Sequence, residues 1–85
     1  PYPNPFNNSV TIDYKLFIDS IVKIAIFDIK GILIKNLFSG KQKPGMKSLK
    51  WNATNNKGQK VSSGEYLARI EIGDFIQTKK IIFVR

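Results

Sequence analysis

Six carboxylates, Asp13, Asp19, Asp28, Glu65, Glu71 and Asp74, supply all the acid–base side chains near neutral pH in this 85-residue chain, which has neither histidine nor cysteine. Without histidine there is no Ser-His-Asp triad and no imidazole metal ligand. Without cysteine there is no thiolate nucleophile, disulfide, structural zinc site or iron–sulfur cluster. The six acids fall in turns or beside lysines, where solvated ion pairing accounts for them, and no two are spaced as a general acid and base. Ser62-Ser63-Gly64 offers hydroxyls with no base to activate them. The chain therefore reads as a non-enzyme that needs no metal and no cofactor.

Binding chemistry is the alternative. Fourteen Lys and Arg against six Asp and Glu give a formal net charge of +8. Such a balance, interleaved with aromatics, is one signature of nucleic-acid binding. Here Lys30, Lys41, Lys43, Lys57 and Lys60 sit in turns, and Lys15 and Lys23 in the polar phase of strands. The aromatics that would stack bases, Tyr14, Trp51 and Tyr66, fall in the apolar phase. The charge reads as a solubilising, edge-protecting surface that would equally suit an acidic polymer or anionic lipid head groups. Asn52, Asn55 and Asn56 offer only amide oxygens, too few charges for a calcium loop and well suited to tight turns. The two glycosylation sequons, Asn7-Asn8-Ser9 and Asn52-Ala53-Thr54, matter only in a host that reads them. Trp51, the one tryptophan, reads as the plug of a core and not as a sugar-stacking platform.

These residues must be held by strands. Val10, Ile12, Tyr14 and Leu16 alternate with polar residues, as do Val22, Ile24 and Ile26. Asp28-Ile29-Lys30-Gly31 is a turn in which Gly31 supplies positive φ, and 32–39 is the return strand. A loop is expected over 40–45, a strand over 46–51, and an irregular stretch over 52–64. Within that stretch Asn55-Asn56-Lys57-Gly58 repeats the chemistry of the 28–31 turn. Tyr66, Ala68, Ile70 and Ile72 define a strand over 65–72, and Gly73-Asp74 turns into a last strand over 75–84. Turn residues recur about every 8–12 residues and no helical period survives, which predicts an all-β, immunoglobulin-like antiparallel sandwich of six or seven strands with Greek-key connections.

The length allows one domain, here 9–85, preceded by a proline-rich lead-in over 1–8 from an upstream domain. Pro1, Pro3 and Pro5 stiffen that lead-in, leaving Tyr2 and Phe6 free to dock on the core. A chain this small buries only about 60–65% of its unfolded surface, so the apolar core must carry its stability. No stretch has the roughly 18 apolar residues of a membrane helix. The start on Pro1 reads as a piece of a larger protein.

Four segments in order resemble the type A C-terminal sorting domains of the type IX secretion system. They are Tyr2-Pro3-Asn4-Pro5-Phe6-Asn7 with Thr11–Leu16; Val22–Gly31, like the pattern V-x-I-x-I-[YF]-D-x-x-G; Trp51-Asn52 through Gly58 to Val61-Ser62-Ser63-Gly64-Glu65-Tyr66; and the basic, apolar end Lys79–Arg85. The pattern is shared with the immunoglobulin-like domain of flagellar hook-capping proteins. Two departures stand out. Ile32 replaces the usual Arg, and Trp51-Asn52-Ala53-Thr54-Asn55 has lost two acids and a glycine from W-D-G-x-D.

The resemblance implies a targeting domain at the C-terminus of an exported protein. Its partners would be the upstream cargo domain, the outer-membrane secretion machinery and a sortase-like protease, with anionic lipopolysaccharide as a further partner and nucleic acid as none. Its location would be the outer-membrane surface or the exterior, reached through the periplasm. The expected recognition residues are Lys79, Lys80 and Arg85, with Gly64 and Tyr66 shaping the neighbouring strand. The expected structural residues are Pro3, Asn4, Pro5, Phe6, Asp28, Gly31, Trp51 and Gly58. The alternative is an accessory structural, surface-binding or carbohydrate-binding module of a larger extracellular protein.

Overall fold

The computed structural model describes residues 9–85. Six strands are formed, β1 (Val10–Leu16), β2 (Ser20–Asp28), β3 (Leu33–Gln42), β4 (Gly45–Trp51), β5 (Gly64–Ile72) and β6 (Phe75–Phe83). They make a two-stranded sheet, β1-β4, and a four-stranded sheet ordered β3-β2-β5-β6, every pairing antiparallel. The short 43–44 link takes the chain from β3 in the larger sheet to β4 beside β1 in the smaller one, and the long 52–63 connection returns it to β5, so the chain crosses between the sheets as in a Greek key. The proline-rich lead-in, including Pro3, Asn4, Pro5 and Phe6, lies outside the described residues.

The period-two patterns set which face each strand buries. Ile12, Tyr14 and Leu16 of β1 meet Val22, Ile24 and Ile26 of β2, Ala68 and Ile70 of β5, and Ile81 and Phe83 of β6 in one core. A register slip of one residue would turn each of these sets outward, so the alternation fixes the pairing. No buried polar side chain lacks a partner among the described residues. Tyr14 OH donates to Gln42 Oε1 at 2.6 Å, linking β1 to β3 across the two sheets.

The expected loop over 40–45 is corrected to the two residues 43–44. β2 begins at Ser20, and its partners run out to Gln42, so Gly40 lies in the ladder opposite Val22. β3 is an edge strand with two register shifts against β2, and an edge tolerates a glycine that the middle of a sheet would not.

The strand directions give the sandwich two poles. One carries the short links 17–19, 43–44 and 73–74. The other carries the 29–32 turn, the long 52–63 connection, and both ends of the described chain, Ser9 and Arg85.

Candidate functional site

The 52–63 connection is held in place by a tryptophan and a tyrosine. Trp51 ends β4 at 0% exposure, with its indole N–H donating to Thr54 O at 2.9 Å. Its ring meets Tyr66 edge-on at 5.2 Å between centroids and Phe83 at 6.2 Å. Tyr66, buried in β5, sends its hydroxyl back to Ser62 O at 2.6 Å. This is the tyrosine corner of immunoglobulin-like sandwiches, in which a buried ring reaches the backbone a few residues upstream. The tryptophan is thus a core residue, as its apolar phase predicted. So placed, it offers no face to a sugar.

The two turns compared in the sequence are built alike. Asp28 Oδ1 accepts from the backbone N–H of Lys30 and of Ile32, both at 2.9 Å. Asn55 Oδ1 accepts from Lys57 at 2.9 Å and Gln59 at 3.0 Å. Gly31 and Gly58 close the two turns with φ of +87° and +78°, conformations that L side chains resist. The Asn55 turn is tied sideways to β3, where Asn56 Oδ1 accepts from Asn36 N–H at 2.9 Å and Ile34 O from Asn56 N–H at 3.0 Å. An amide oxygen does here what a carboxylate would do, so the lost acids leave the loop intact. At the lost glycine, Ala53 is buried and held at φ +58°.

The expected recognition residues lie on and around β6. Lys79 reaches across the open side of the sandwich and donates to the Asp13 backbone carbonyl on β1. Lys80 points to the other face of β6 and pairs with Glu65 at 2.8 Å, both side chains well exposed. Arg85 donates its backbone N–H to Ser63 Oγ at 2.8 Å and its guanidinium to Val61 O, and stacks over Phe83 at 5.2 Å. Gly64 heads β5 opposite Phe83. Each cation therefore has a partner within the chain, and the three do not converge on one patch. Tyr66 supports this region from below and offers no surface. The sequence reading missed the fastening of Arg85 to 61–63, which no spacing signals because it spans 22 to 24 residues.

Among the described residues no cluster of three or more carboxylates is placed to hold a metal ion. Among the described residues no helix is long and apolar enough to cross a membrane.

The sequence model of the FlgD Ig-like domain matches residues 7–73. The chain belongs to the FlgD Ig-like domain family. Its fold is similar to that of FlgD from P. aeruginosa, with a TM-score of 0.70 at 19% identity over 94% of this chain and 63% of that one. At that identity the likeness speaks for the fold. The chain spans less than two thirds of the FlgD chain it matches. No curated protein matches it. The FlgD Ig-like match runs from the last residues of the lead-in through β5, so Trp51, Tyr66 and both glycine turns fall inside it, and the whole of β6 falls outside.

Proposed function

We propose that this FlgD-type Ig-like domain is a non-catalytic accessory module of a larger protein, and that the service it performs is sorting to the outer-membrane surface or the exterior. The observation that carries the reading is β6. It is an edge strand of the four-stranded sheet, so one row of its backbone N–H and C=O groups has no strand partner among the described residues. A free edge of this kind accepts a further strand, with side chains beside it giving specificity. Lys80 and Arg85 would supply that specificity to the outer-membrane secretion machinery. A sortase-like protease would then release the upstream cargo or join it to anionic lipopolysaccharide.

The test is transplantation. Residues 1–85 are fused to a periplasmic reporter in a bacterium that has a type IX system, and export is measured. Deleting 80–85 would remove Ile81 and Phe83 from the core, so unfolding would be confused with lost recognition. Lys80→Gln and Arg85→Ala are the cleaner variants, because Lys80 gives up only an exposed ion pair worth about 0–1 kcal/mol and Arg85 only exposed contacts to Val61 O and the Phe83 ring, worth about 1 kcal/mol. Export that falls in these variants while their melts stay close to the parent's supports sorting. A reporter that stays in the periplasm with the intact domain removes the sorting reading and leaves a structural spacer.

A further inference from the structure

The pole opposite the chain ends is apolar at its tip. The alternation of β1 breaks after Leu16, where Phe17 and Ile18 follow directly, and β6 opens on Phe75 and Ile76. Phe17 is 78% exposed, Ile18 71% and Met46 73%, with Phe75 and Ile21 more than half exposed beside them. These five line one open groove at the pole. Side chains this exposed on turns project outward, beyond what a solvated sandwich needs. Contiguous apolar surface of this kind marks an interaction site.

The charge around the tip identifies the partner. Lys15 lines the groove on β1, and Lys41 and Lys43 border it beside Ile21 on β3 and the 43–44 link, against Asp19 and Asp74 in the two turns. Lys15 also lies over the Phe17 ring at 5.1 Å. Farther along the groove Asp13 and Lys79 offset each other. A second copy would bring the same positive rim and a further +8. An anionic surface brings the opposite charge.

The tip also faces the right way. Ser9 and Arg85 both lie at the far pole, so a segment attached at either end departs away from the tip. The remaining exposed large apolars, Ile82 and Val84 among them, lie towards that attached end.

We propose that the distal pole docks on an anionic lipid surface. Phe17, Ile18 and Met46 enter the interface, and the lysine rim meets the head groups. This combines the two signals that reversible membrane adsorption uses, buried apolar area and attraction to anionic lipid. The inference rests on the tip alone and stands or falls apart from the sorting reading, which uses β6.

The experiment is co-sedimentation of the 85-residue chain with phosphatidylcholine vesicles, with and without phosphatidylglycerol. Binding is expected to be stronger on the anionic vesicles and to weaken as salt is raised. Phe17→Ser with Ile18→Ser should lower partitioning by about tenfold or more. Lys41→Ala and Lys43→Ala should each lower it by about fivefold on anionic vesicles only. All four side chains are exposed, so thermal melts of the variants should match the parent. Equal binding to both vesicle types, or variants that bind as the parent does, would overturn the proposal. So would a concentration-dependent dimer that the Phe17 and Ile18 substitutions abolish, since the tip would then close on a second copy.

Discussion

Replacing Trp51 with Phe tests whether the tryptophan is a structural plug, because phenylalanine keeps an aromatic ring but cannot fill the same space. Three losses add. Roughly 40 Å² less apolar surface is buried, worth about 1 kcal/mol at ~25 cal/mol per Å². A void of about 40 Å³ is left between Tyr66 and Phe83, worth about another 1 kcal/mol at ~24 cal/mol per Å³. The indole bond to Thr54 O disappears, and because Thr54 is only half-buried water replaces part of it, so the loss is about 0.5–1 kcal/mol. The sum is about 2.5–3 kcal/mol, against a total of only about 4–13 kcal/mol for a domain of this length. Urea unfolding followed by circular dichroism should show a lower midpoint with an unchanged slope. The melting temperature should fall by roughly 10–20 °C. A cost below about 0.5 kcal/mol would refute the reasoning and reopen a surface role for Trp51. A glycan-array signal lost in a variant that melts like the parent would do the same.

Tyr66→Phe deletes the hydroxyl that donates to Ser62 O while keeping the ring. A loss of about 1 kcal/mol in urea unfolding is expected, modest because the Ser62 carbonyl lies near solvent. Gly31→Ala meets no atom within 4 Å, so its cost is conformational alone, and chemical denaturation should report about 1 kcal/mol from the left-handed backbone. Ala53→Gly relieves about 1–2 kcal/mol of left-handed strain. Against that it gives up a buried methyl worth about 0.8 kcal/mol and loosens the unfolded chain by about 0.4–1 kcal/mol. The melt of Ala53→Gly should therefore stay within a few degrees of the parent, and a large shift in either direction would show that one of the three effects is misjudged.

What is readable from the residues of this domain is what local chemistry decides. A strand with one face in the core must alternate, so Ile12, Tyr14, Leu16, Val22, Ile24 and Ile26 announce both their strands and the sheet face they bury. Turn chemistry is equally local. An oxygen at the first position and a glycine at the fourth predict both 28–31 and 55–58, whether the oxygen belongs to Asp28 or Asn55. What escapes is whatever depends on the partner across space. Gly40 reads as a loop residue because nothing local says that β2 extends to Ser20 and gives it a ladder position. Arg85 reads as a free cation because its carbonyl acceptor is 24 residues away. The same limit applies to Lys79, whose acceptor lies 66 residues distant on β1. A long side chain of this kind, drawn to a carbonyl across the open side, also shields the two neighbouring edges from other chains. A receptor strand added along the one free edge of β6 therefore competes with the bond from Lys79 to Asp13. For that reason Lys79→Ala should separate two roles that a basic-patch reading merges. If Lys79 guards the edge, its loss promotes strand addition and self-association. If it is read directly by a receptor, its loss weakens recognition and leaves the domain monomeric.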